Sequence, residues 1–307
     1  MDMNNVIFTQ SGDIEFIERI NRSDFHGFVH SVFNRTFNIK SRDNEELFTV
    51  ASREVDNAPN TLIIDTENFK GVGLLVNELV VARNQLLHIG NKLTISIENS
   101  KKWASVLPNY PKDEQVTITN LRKVKEFIDI HGKGGGVKLD LTSDNLFARE
   151  VSRVLHEQSR FLLQELSSSR IDKALQHAVT ILGLGPGLTP SGDDFLVGLF
   201  TAFYIKDSPY SSYQSFCKEV VKKAKTLTNE ISYMALEKAS IGKVRESIIQ
   251  LVHSIINGSE EELILSLNKV LTIGSSSGTD IALGLVAGLE ANLTSFSKKS
   301  STSISGD

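Results

Sequence analysis

The 307-residue chain has a single cysteine, Cys217. One thiol excludes an internal disulfide framework and any zinc site built from several cysteines. Cys217 falls in a helical pattern, so it reads as a small buried apolar residue. Long hydrophobic runs are missing too. Nothing approaches the roughly 18 apolar residues of a membrane span. The N-terminus MDMNNVIFTQSGDIEF lacks the basic stretch and apolar run of a secretory signal. A soluble cytoplasmic protein with no membrane partner is expected. Nor is there a surplus of positive charge: the formal net charge is −4, and no basic field argues for a nucleic-acid partner. A G-x-S-x-G nucleophile turn is absent. His26 and His30, four apart in a β-like stretch, are not expected to form a metal pair.

What is present is ordinary globular material, 40% hydrophobic and 23% charged, long enough to bury a substantial core. Residues 25–98 read as β. FVHSVFNRTFNIK and ELFTVAS are rich in Val, Phe and Thr, TLIID and LTISI are short β-branched runs, and Gly90-Asn91 marks a hairpin between QLLH and LTISI. Leu79, Val80, Val81, Leu86 and Leu87 are the expected core of this part. LPNYPKDEQ then reads as a connector. From about residue 119 the period becomes helical. Leu121, Val124, Phe127 and Ile128 share a face; Phe147, Val151, Val154, Leu155 and Leu162 mark a second helix, with caps offered by residues 142–145. Residues 212–238 contain no Gly or Pro and predict one long amphipathic helix through Tyr213, Phe216, Val220, Ala224, Leu227, Ile231 and Met234. Val244, Ile248, Leu251, Val252 and Ile255 give another, and Ser259 with Glu262 is a capping box for a third. The expected class is α+β: a β-rich N-terminal barrel or sandwich over 1–118, an α-helical domain over 119–298, and a flexible tail over 299–307.

One stretch departs from this texture. GLGPGLTPSGDDFLVGLF, residues 183–200, places four glycines before a run that is apolar nearly all round. Gly185 and Gly187 allow backbone closed to other residues. Pro190 suits a helix start, and Ser191 with Asp194 reads as a variant capping box. The same grammar returns in GSSSGTDIALGLVAGL, residues 274–289. Ser191, Gly192, Asp194 and Gly198 align with Ser277, Gly278, Asp280 and Gly284 at one constant offset. Two glycine-rich loops feeding two buried helices are expected to meet at one end. Paired helix N-termini attract phosphate or carboxylate. Asp194 and Asp280 are expected to be caps. Asp193 is left as the acid free to hold Mg²⁺ or to accept hydrogen bonds from an amide or ureido N–H. No lysine follows Gly192, so this is no P-loop, and no βαβ context supports a dinucleotide site. The loop HGKGGG, 131–136, reads as a connector, or as a lid carrying His131 and Lys133. Asn229 and Glu246 read as solvated helix polar groups.

GLGPGLTPSGDDFLVG together with SSGTDIALGL resembles a bacterial family with the signature G-x-G-x-G-L-T-P-S-G-D-D, associated with the third subunit of oxamate carbamoyltransferase in allantoin and purine catabolism. The first motif is the more specific, and the likeness is weaker in the β-rich half. The resemblance implies a transferase subunit that phosphorolyses oxalurate to oxamate and carbamoyl phosphate alongside partner subunits. It carries over Pro190 as part of the motif, Gly185, Gly187, Leu188, Thr189, Ser191, Gly192, Ser276, Ser277, Gly278 and Asp280 into substrate binding, and Asp193 and Asp194 into catalysis, with a small anionic or ureido substrate. Relatives often have histidine where this chain has Ser275. The alternative is a non-catalytic ligand-binding or assembly module of a metabolic complex, because no nucleophile stands at the motif.

Overall fold

The computed structural model describes residues 6–140, 142 and 144–302. The chain divides into two compact units, Met1–Ser105 and Val106–Asp307.

In the first unit β1 (Val6–Asp13), α1 (Ile14–Asn21), β2 (His26–Val32), β3 (Thr36–Ser41), β4 (Leu47–Ser52), β5 (Thr61–Ile64), β6 (Leu79–Arg83), β7 (Leu86–Ile89), β8 (Leu93–Ser96) and β9 (Lys101–Trp103) follow in order. The strands run β5-β4-β3-β2-β6-β7-β8-β1, and β1 pairs back onto β5, so the sheet closes. The β-rich part is therefore an eight-stranded barrel and not a sandwich. On its other edge β1 takes two partners, β8 beside Val6–Phe8 and β9 beside Ser11–Asp13, both parallel. Side chains alternate across a strand, which corrects the expected core. Val80 and Leu87 are fully buried, whereas Leu79 is 47% exposed, and Val81 and Leu86 are only half-buried. A short helix that the sequence reading missed completes this unit. α1 buries Phe16, Ile17 and Ile20, and Phe16 packs on Phe48 and Phe25 with ring centroids 4.6 and 5.2 Å away.

The second unit comprises α2 (Gln115–His131), α3 (Leu146–Ser167), α4 (Ile171–Ile181), α5 (Ser191–Phe203), α6 (Gln214–Leu227), α7 (Glu230–Ala239), α8 (Glu246–Asn257), α9 (Glu260–Leu271) and α10 (Ser277–Thr302). All 13 residues of α5 are buried, as an all-round apolar helix requires. α5 and α10 run parallel with their backbones nearly touching. A Cβ on Gly198 would collide with the Ile281 carbonyl, and one on Gly284 with the Phe195 carbonyl. The capping box of Ser259 and Glu262 forms in both directions, and Cys217 is buried.

One local expectation is corrected. The helix foreseen over 212–238 is two helices, because Thr228 is extended and Asn229 caps α7 by accepting from the Ser232 N–H at 3.0 Å. A side-chain cap ends a helix without Gly or Pro. Phe147 stands in the first turn of α3 and is 77% exposed, while Asn145 caps that helix. The helical backbone of α10 continues to Thr302 into the foreseen tail, whose residues 303–307 lie outside the described residues. No helix among the described residues is long and apolar enough to cross a membrane.

Candidate functional site

The two glycine-rich loops are built alike. After α4, the Leu184 N–H donates to the Ile181 carbonyl and the Gly192 N–H to the Leu184 carbonyl. After α9, the Ile273 N–H donates to Val270 and the Gly278 N–H to Ile273. In both loops the glycine of the S-G-x-D pattern faces the preceding helix: a Cβ on Gly192 would strike the Ile181 carbonyl, and one on Gly278 the Val270 carbonyl. These two glycines serve packing. The parallel helices bring the loops to one end, as the repeated grammar predicts. The Thr189 and Ser277 hydroxyls are 2.9 Å apart, and those of Ser191 and Ser276 are 3.4 Å apart. Gly185 and Gly187, at φ +124 and +95, and Leu188, 56% exposed, form the outer part of the first loop.

The acids exchange the roles expected of them. Asp193 is buried and fully engaged. It accepts from the Gly183 N–H at 2.9 Å, from the Ser232 hydroxyl at 2.7 Å and from the Thr228 hydroxyl. It ties the first loop to the start of α7, and three donors occupy the oxygens foreseen for Mg²⁺. Asp194 is not part of a capping box: α5 begins at Ser191, Pro190 takes the cap position, and no side chain caps it. Asp194 is only 5% exposed and Asp280 fully buried. Asp280 Oδ1 accepts from the Val137 N–H at 2.8 Å. Asp194 Oδ2 and Asp280 Oδ2 have no hydrogen-bond partner, a costly state for buried polar atoms.

Burial pushes the Asp194 carboxyl up to about 8, against the opposing pull of the Ser277 and Thr189 hydroxyls, with the Asp280 and Asp193 charges adding to the rise. Burial likewise raises Asp280, to about 6, opposed by the Val137 N–H and the Ser191 and Ser276 hydroxyls. Each acid is thus served by a serine of the opposite loop. Of the two, Asp194 holds its proton to the higher pH. A hydrogen-bond donor and an acceptor stand at two helix N-termini, whose dipoles favour anions.

A third segment belongs to this place, and the sequence reading left it as a connector or lid. The loop after α2 lies on the start of α10. The Lys133 N–H donates to the Thr279 hydroxyl at 2.9 Å, and Gly136 sits against the Asp280 carboxylate where any side chain would collide with both oxygens. The glycine run was the available signal; that it faces Asp280, 144 positions on, was not legible. Asn229 also reaches the site, donating to the Leu188 carbonyl at 2.8 Å. Among the described residues no three His, Cys, Asp or Glu side chains cluster as a metal ion would need.

Residues 181–289 match the family model described as oxamate carbamoyltransferase subunit AllH, and residues 8–102 match that of the AllH family N-terminal domain. Both matches support association of the chain with that subunit. No solved structure matches the chain.

Proposed function

We propose that this chain, associated through two matched regions with the AllH subunit of oxamate carbamoyltransferase, holds the carbamoyl donor at the meeting point of its two glycine-rich loops. The observation that carries this reading is the pair of buried, unpartnered oxygens, Asp194 Oδ2 and Asp280 Oδ2. An unpaired buried carboxylate oxygen calls for a physical explanation, and a ligand that donates to it supplies one. Oxalurate has the matching chemistry: a ureido group with N–H donors and carbonyl acceptors, and a carboxylate for the helix N-termini and loop backbone.

In the reaction a phosphate oxygen attacks the terminal ureido carbonyl carbon. The bond from that carbon to the inner nitrogen breaks, giving carbamoyl phosphate, and the released nitrogen of oxamate takes a proton. The Asp194 carboxyl supplies it and is reprotonated by the proton that the hydrogen phosphate releases as carbamoyl phosphate forms. The Asp280 carboxylate accepts from the ureido N–H groups and orients the carbonyl. Backbone N–H groups stabilise the charge that develops on the carbonyl oxygen. No covalent intermediate with the chain is required. Partner subunits would complete the enzyme.

The test is calorimetric titration of oxalurate into the wild-type chain and the Asp280→Asn variant, followed by phosphorolysis assays of the complex reconstituted with partner subunits. Oxalurate binding that weakens at least tenfold in the variant is expected. The rate should also follow a bell-shaped pH profile, because Asp280 must be charged and Asp194 protonated, with limbs near about 6 and about 8. If complexes carrying Asp280→Asn and Asp194→Asn turn over at the wild-type rate, the chain has an assembly role and the chemistry lies in another subunit.

A further inference from the structure

The site as described is built on two buried acids, Asp194 and Asp280. A phosphate dianion entering beside the Asp280 charge needs a cation, and neither motif contains one. The loop after α2 supplies it. This loop is anchored at both ends. Lys138 Nζ donates to the carbonyls of Ile128, Asp129 and Gly132 at 2.8–2.9 Å, which satisfies the C-terminus of α2. The Val137 N–H holds Asp280, and the Ser152 hydroxyl donates to the Gly136 carbonyl at 2.6 Å.

Between these anchors Lys133 is pinned by its backbone to Thr279 in the first turn of α10. Its exposed side chain extends across the second glycine-rich loop, where Nζ donates to the Gly274 carbonyl at 3.1 Å. A single bond to a neutral carbonyl is a weak tether for an ammonium. A dianion would outbid it with a charge-assisted bond. The remaining ionisable groups of this loop are turned to other contacts. Lys138 is spent on α2, the His131 ring packs on Phe127 with centroids 4.3 Å apart, and Asp140 accepts from Thr142.

We propose that Lys133 is the phosphate-binding residue of this site, with its ammonium moving from the Gly274 carbonyl to the phosphoryl oxygens of inorganic phosphate and of carbamoyl phosphate. The proposal rests on the functional reading above but concerns the co-substrate, so the two fail separately. The ureido end then meets the buried acids, and the phosphate meets the exposed ammonium of Lys133. The loop HGKGGG then combines two functions in one short segment. Its glycines admit Asp280, and its lysine fixes which anion is taken.

The test uses the full chain, with Lys133→Gln and Lys133→Arg beside wild type. Inorganic phosphate, carbamoyl phosphate and oxalurate are titrated separately by calorimetry at two salt concentrations. In the reconstituted complex, KM for phosphate is measured apart from kcat. Lys133→Gln should weaken both phosphate ligands roughly tenfold, the loss expected for one charge-assisted bond, and flatten their salt dependence. Oxalurate affinity should stay within about twofold, and Lys133→Arg should restore phosphate binding. Unchanged phosphate affinity in Lys133→Gln overturns the proposal, as does a loss confined to oxalurate, which would pair Lys133 with the carboxylate. Phosphate binding that depends on Lys133 in a chain that never binds oxalurate upholds the proposal while removing the reading of the acid pair.

Discussion

Asp193 and Asp194 are adjacent in sequence and opposite in function. Asp193 has its oxygens filled by Gly183, Thr228 and Ser232; Asp194 keeps one oxygen unpaired in a buried place. Their variants should therefore move stability in opposite directions. Asp193→Ala strands a buried backbone N–H and two hydroxyls and should cost about 1–3 kcal/mol. Asp194→Asn should stabilise, by an amount that grows with pH. The folded state holds the Asp194 proton up to about 8, whereas the ordinary carboxylate value is 3.8. Between those values the folded chain binds a proton that the unfolded chain has released. Stability from this group is thus full below 3.8 and lost as pH rises through about 8. Urea melts at pH 4 and pH 8 should show Asp194→Asn close to wild type at the lower pH and more stable at the higher. A variant less stable at pH 8 would show that Asp194 is satisfied in the folded state. The sequence could not separate the two acids, because helical rotation turns neighbouring residues to different surroundings and only the packing of α7 and α10 says what those are.

At the scale of elements, the α5–α10 contact sets the geometry of the site. Gly284→Ala gains roughly 1 kcal/mol in helix propensity, but its methyl would enter the Phe195 carbonyl. Both partners are backbone, so a side-chain shift offers no relief, and overpacking of this kind costs about 1–3 kcal/mol. The steric term should win, with a net loss of stability in denaturant melts and weaker oxalurate binding as the helix starts separate. An unchanged or raised midpoint would mean that the helices part without consequence. Gly187→Ala is the contrasting case: nothing lies near its Cβ direction, so its cost comes from φ +95 and stays local. Element identity was largely legible from hydrophobic period. The failures came where a short polar side chain overrode the pattern, as Asn229 does in dividing α6 from α7, or where a helix of only eight residues was too short to announce its period, as with α1.

For the whole molecule, the barrel carries its own core. Its buried cluster draws only on residues from Phe16 to Ile97. The connector LPNYPKDEQ, by contrast, is bound into the helical unit, where the Tyr110 N–H donates to the Lys206 carbonyl at 2.8 Å. A fragment of residues 1–105 should fold alone, with a β-type far-UV circular dichroism spectrum and a cooperative thermal transition. A fragment without a cooperative transition would show that the barrel depends on the rest of the chain.

Composition and periodicity were enough to establish an α+β chain with a β-rich N-terminal part, a buried helix after each glycine-rich loop and a repeated S-G-x-D grammar. These features are local: backbone freedom at Gly185 and Gly187, and apolar residues on every face of α5, act within a few positions of themselves. The closure of β1 onto β5, the meeting of Thr189 with Ser277, the arrival of Gly136 beside Asp280 and of Lys133 at Thr279, and the choice of Asp194 over Asp193 as an unpaired acid were decided by the tertiary structure alone. Each depends on contacts between residues far apart in the chain, where burial and the arrangement of donors, and not residue type, determine what a carboxylate does.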